Sequence, residues 1–155
     1  MNILNINNKK NNCKGFTLVE ILMASIVLLP VFVSTFVGFI KGMELSEMAR
    51  HSSQALTAVK SKISEIENTA FDQIKNNFDL ITFTTNGLNG IGVSYVDDSQ
   101  PNILQINTTF CWQEKNGRIM GDDRNLNGQE DAGEDPDNDN ILDSPVLITT
   151  VIYNS

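Results

Sequence analysis

The sequence predicts an α+β fold: one long N-terminal helix, half of it apolar all round and half amphipathic, packed on a small antiparallel β-sheet. Three observations lead there. Phe16 to Ile40 is an apolar run of twenty-five residues whose one charge is Glu20. Apolar residues then recur at helical spacing to about Asn68, and beyond residue 90 the pattern changes to strand-like alternation broken by turn pairs.

The apolar run comes first. At about 1.5 Å rise per residue it is long enough to cross a bilayer core of about 30 Å. It is too long for a cleaved secretory signal, and no small-residue cleavage pattern follows it. Lys9, Lys10 and Lys14 precede the run without any acid, and Lys41 follows it. This bias predicts a cytoplasmic N-terminus and a head on the far side of the membrane. Pro30 lies mid-run, where proline removes a hydrogen bond and tends to kink a helix. A carboxylate inside such a helix is costly, so Glu20 calls for a partner.

Past Lys41 the helix is expected to continue. Leu56, Val59, Ile63 and Ile66 recur at three and four residues, and Met48, Ala49 and Ala55 extend that face. Lys60, Lys62, Glu65 and Glu67 take other faces. His51 stands among Arg50, Ser52 and Ser53 and reads as a surface residue. Residues 69–90 are polar, with Asn76-Asn77, Asn86-Gly87 and Asn89-Gly90 as turn signals. Strands are predicted at Ile91 to Val96, Leu104 to Trp112, Arg118 to Met120 and Val146 to Tyr153. Asn116-Gly117 supplies a hairpin turn. In the second strand Leu104, Ile106, Thr108, Phe110 and Trp112 alternate with Gln105, Asn107, Thr109 and Cys111, the signature of a half-buried strand. The predicted divisions are residues 1–15, 16–40, 41–68 and 69–155.

Charge sets one segment apart. The formal net charge is −8, which argues against nucleic acid as a partner. Residues 122–143 hold nine acids and one arginine, so this segment alone matches the whole imbalance. Within it, Asp123, Asn125, Asn127, Gly128 and Glu134 fit the calcium-loop pattern D-x-[DN]-x-[DN]-G-x5-E in full. Calcium takes about six to eight hard oxygens, and alternate positions of a tight loop aim them inward. Gln129 would offer its backbone carbonyl, Asp131 stands at the ninth position, and Glu134 closes the loop with two oxygens. Asp135, Asp137, Asp139 and Asp143 repeat the spacing, with Asn140 for the glycine and Val146 for the closing glutamate. This second run resembles the half-loops of dockerin-like and thrombospondin-type repeats. Calcium is the expected cofactor, and it would clamp Met120 to Val146. The competing reading is a solvated acidic loop. Strands are predicted on either side, so the helix pair of an EF-hand is not expected.

Two cysteines, Cys13 and Cys111, lie far apart in sequence; a free Cys111 packs as a small hydrophobe. No nucleophile–histidine–acid set presents itself, and the expectation is a non-enzyme.

Lys14-Gly15-Phe16-Thr17-Leu18-Val19-Glu20 resembles the cleavage and methylation motif of type IV prepilins, the family of pilins, minor pilins and type II secretion pseudopilins. The resemblance implies a leader of residues 1–15, cleavage by a prepilin peptidase after Gly15, and methylation of the new amino group on Phe16. It gives Glu20 a partner: the positive N-terminus of a neighbouring subunit. Phe110-Cys111-Trp112-Gln113, Asn116-Gly117-Arg118 and Val146 to Thr150 resemble, more weakly, the C-terminal region of minor pilins of the PilV type and minor pseudopilins. The implied function is a structural minor pilin held in the inner membrane until it enters a pilus or periplasmic pseudopilus with other subunits. The alternatives are a secretion pseudopilin and a signal-anchored calcium-dependent adhesion or binding module.

Overall fold

The computed structural model describes residues 15–154; residues 1–14, most of the expected leader, and residue 155 lie outside the described residues. The chain is α+β. Helix α1 spans Leu18–Glu67 and α2 spans Phe71–Phe78. The strands are β1 (Ile81–Phe83), β2 (Gly90–Asp97), β3 (Ile103–Gln113), β4 (Ile119–Met120) and β5 (Leu147–Tyr153). Two compact parts meet in sequence between Met43 and Glu44.

The first part is the apolar length of α1. It is long and apolar enough to cross a membrane. Every side chain from Gly15 to Ser46 is exposed. Helical backbone continues through Pro30, and Ser34 Oγ donates to the Pro30 carbonyl at 2.7 Å.

The second part is the head. Its helical length buries Ala55, Val59, Ile63 and Ile66. Leu56, expected on this face, is 37 % exposed, and Ala49 is exposed. The buried stripe steps from Ala55 to Val59, Ile63 and Ile66, so Leu56 falls beside it rather than in it. These residues meet one face of an antiparallel sheet in the order β1-β2-β3-β4, with β5 also on β3. Ala55, Val59 and Ile63 pack with Leu88, Phe110, Trp112 and Val146. Ile66 joins Ile74 and Phe78 of α2 with Val96, Leu104 and Ile106.

Two elements replace the expected run of turns at residues 69–90. Helix α2 is short, and Ile74 and Phe78 pin it to the core. Leu80 takes a φ of 57° and gives its N–H to Ser94, which starts β1 beside β2.

Strand β3 is half-buried at its start, where Gln105 is exposed, but buried on both faces from Asn107 to Trp112. Thr109 and Cys111, expected outward, are each 1 % exposed. The register puts Thr109 beside Val93 and Cys111 beside Ile91, with Thr82 of β1 beside Val93. This second face lies beneath the segment that links β4 to β5. A Cβ placed on Gly128 would meet Thr82 at 2.5 Å and Ile91 at 3.1 Å, and one on Gly121 would collide with Cys111 Sγ. Leu142, fully buried, donates its N–H to the Tyr95 hydroxyl at 3.2 Å. The acidic segment is therefore the third layer of the head.

Candidate functional site

The acidic segment begins and ends on β3. Met120 pairs with Trp112, Phe110 N–H donates to the Val146 carbonyl, and Asp122 N–H donates to the Asp143 carbonyl at 2.8 Å. Its ends are thus tied before any side chain is considered.

Asp123 is fully buried, and each of its oxygens accepts a backbone N–H, from Asn127 at 3.1 Å and from Gly128 at 2.8 Å. Gly128 has a φ of +72° and sits hard against Thr82, so the turn needs both glycine's left-handed freedom and its lack of a side chain. Glu134, 4 % exposed, accepts from Arg124 N–H at 2.7 Å and Asp131 N–H at 3.2 Å. The twelfth residue of the loop thereby closes on the second. Asp131 Oδ2 accepts the side-chain amides of Asn125 and Asn127 at 2.7 and 2.9 Å. Asn127 Oδ1 takes Gln129 N–H at 2.7 Å. Asp123, Asn125, Asn127, Asp131 and Glu134 therefore form one hydrogen-bonded ring, and Gln129 adjoins it through Asn127.

The second run repeats the first in backbone detail. Asp135 accepts N–H bonds from Asp139 at 3.2 Å and Asn140 at 3.0 Å, the same offsets as at Asp123. Leu126 and Gly128 have positive φ in the first loop, and Asn138 and Asn140 have it at the equivalent positions in the second. Asparagine tolerates this conformation, which explains how it replaces the glycine. One ligand atom each from Asp135, Asp137 and Asp139 lie within 4.8 Å of one another, close enough for a metal ion. Asp143 is exposed and gives its carbonyl, not its carboxylate, to the closing bond with Asp122.

The electrostatics follow from this crowding. Asp122 is raised above the usual carboxylate range, first by burial and then by the charge of Asp143. Asp137 is pushed up, chiefly by its contact with Asp135. Burial works against the charge of Asp135, but bonds from Asn140 and Asp137 outweigh it and hold Asp135 low. Under the segment, burial pushes Cys111 up to about 11 and Tyr95 up to about 12. These donors are all hard oxygens, a set suited to calcium rather than to zinc.

At the other candidate site, Gly15, Phe16 and Thr17 precede α1. Thr17 caps the helix: its Oγ1 and its carbonyl both accept Glu20 N–H, at 3.2 and 3.1 Å. Thr17-Leu18-Val19-Glu20 is thus a threonine N-cap with glutamate at the third helical position, the spacing of a capping box. Glu20 is exposed in the first turn, where a negative charge suits the helix dipole.

One polar cluster escapes the sequence reading. His51, 5 % exposed, is buried and not a surface residue. Its Nδ1 meets Glu114 Oε2 at 2.7 Å, and Trp112 Nε1 donates to Glu114 Oε1 at 2.8 Å. Arg50 approaches the other ring nitrogen at 3.3 Å. An arginine can only donate, so that nitrogen accepts and the Nδ1 proton goes to Glu114. The cluster bonds α1 to the end of β3. A lone histidine among serines carries no sign of a carboxylate sixty-three positions away.

No family model matches the chain, and neither does any curated protein or solved structure.

Proposed function

We propose that this chain is a structural subunit of a type IV pilus-like filament, a minor pilin, matured by prepilin peptidase and assembled through the apolar length of α1. Glu20 carries the reading. It is the one charge between Phe16 and Ile40, in the first turn of a helix whose side chains are exposed as far as Ser46. A solitary carboxylate in such a place needs a positive partner, and the amino group freed at Phe16 on a neighbouring copy or subunit supplies it. The α+β head agrees with a pilin-like architecture, with the helical spine packed on an antiparallel sheet. On this reading the membrane holds α1 until assembly. The head stands outside, and calcium at the paired acidic loops holds its third layer in place. The ligands are Asp123, Asn125, Asn127, the Gln129 carbonyl, Asp131 and Glu134, with Asp135, Asp137, Asp139 and Asp143 at the second loop.

Intact mass and N-terminal sequencing of the membrane-extracted protein test it. In cells with an active prepilin peptidase, the mature chain is expected to begin at methylated Phe16. A chain that keeps Met1 to Gly15 would overturn the reading in favour of a signal-anchored calcium module.

A further inference from the structure

We propose that β5 pairs edge to edge with β5 of a second copy of this chain. Strand β5 meets β3 on one side, and among the described residues no strand meets the other. Phe110 N–H bonds to the Val146 carbonyl, so the even-numbered residues of this register face β3. The N–H and C=O groups of Leu147, Thr149, Val151 and Tyr153 consequently point outward. Edge strands are normally guarded by a charge, a proline, a bulge, shortness or a cover. Leu147–Tyr153 reads LITTVIY, with no charge and no proline over seven residues. Its register against β3 runs without a break, so there is no bulge. Leu147, Val151 and Tyr153 are 38, 42 and 67 % exposed. An unguarded edge of this kind is a template for one more strand.

Charge and register select the second copy. The chain carries −8, yet none of that charge lies in β5, so two copies bring no like charges opposite each other. A two-fold axis through Thr150 places Leu147 opposite Tyr153 and Thr149 opposite Val151. That register joins outward-facing residues only to outward-facing residues, as an antiparallel ladder requires. The opposite edge, β1, offers only three residues, so pairing β5 with β1 of another copy would satisfy less of the strand. A symmetric pair also closes on itself rather than growing. The inference stands apart from the filament reading, because it uses the head alone.

Oxidative cross-linking of the full chain in its membrane tests it. Thr150→Cys, with Cys13 changed to serine, puts one thiol on the axis. Opposed Cα atoms there would be about 4.5 Å apart, within disulfide reach. A covalent homodimer is expected. Adding Val151→Pro removes an outward N–H but none that β3 uses, so the fold should persist while the cross-link falls to background. If that variant does not fold, Val151→Lys replaces it and places a guarding charge on the edge. The proposal is overturned if Thr150→Cys stays monomeric under oxidation, if it cross-links to a different protein instead, or if a folded edge variant dimerises as before.

Discussion

Asp122 shows how one residue ties the acidic segment to pH. Its carboxyl lies above the usual range because it is partly buried beside Asp143. The folded state therefore holds this proton more tightly than the unfolded chain does. Its contribution to stability is present below the ordinary carboxylate range and is lost as pH rises through the raised value. We expect Asp122→Asn, in chelator, to raise the melting temperature at neutral pH and to leave it unchanged in acid. The rise should stay under about 4 °C, since solvent screens so open a group. A fall at neutral pH would mean that the charge is wanted there. Asp123 differs from its neighbour: it is buried, and both oxygens are satisfied by backbone. Spacing in the sequence marks Asp123 as a loop position, but it does not reveal this bonding. His51 was not legible at all, because its meaning lies in Glu114.

At the scale of elements, the long helix was legible and its short successor was not. Helical spacing over α1 repeats enough times to overrule local noise. In α2 only Ile74 and Phe78 are buried, and two anchors make no period. The loop cover over β3 was half legible. Ile91, Val93 and Tyr95 alternate with Gly92, Ser94 and Val96, so both faces of β2 carry apolar residues, and a second cover was needed. Nothing local says that the cover is the acidic segment. Its grip is testable through Cys111, which Gly121 and the Asp143 carbonyl enclose. Burial keeps that thiol protonated at neutral pH, and only opening of the segment exposes it. Asp123→Ala removes two bonds to a charged acceptor and should cost about 1.5–3 kcal/mol. Labelling of Cys111, followed by peptide mass, should then quicken about 10- to 100-fold. Chelator should quicken it in the wild type and calcium should slow it. A labelling rate indifferent to both would remove the metal clamp.

For the whole molecule, the division between an exposed apolar helix and a packed head was readable from hydropathy alone. The order of the strands was not, since β5 could have joined either edge. The filament reading belongs at this scale. On that reading Glu20→Ala leaves Gly15, Phe16 and the head unchanged, so processing should proceed while entry into filaments falls at least several-fold. Quantifying the subunit in sheared filaments against the membrane pool checks this. Normal incorporation would leave Glu20 with its role in the first turn of α1 and no more. The topology also sets a timetable. Residues 103–109 of β3 receive their second neighbour only from β5, and the whole acidic segment must be synthesised between the two. While the chain is still emerging, one side of β3 waits with its backbone unmet and Cys111 uncovered. The head is thus most vulnerable during synthesis, before its own later residues arrive to finish it.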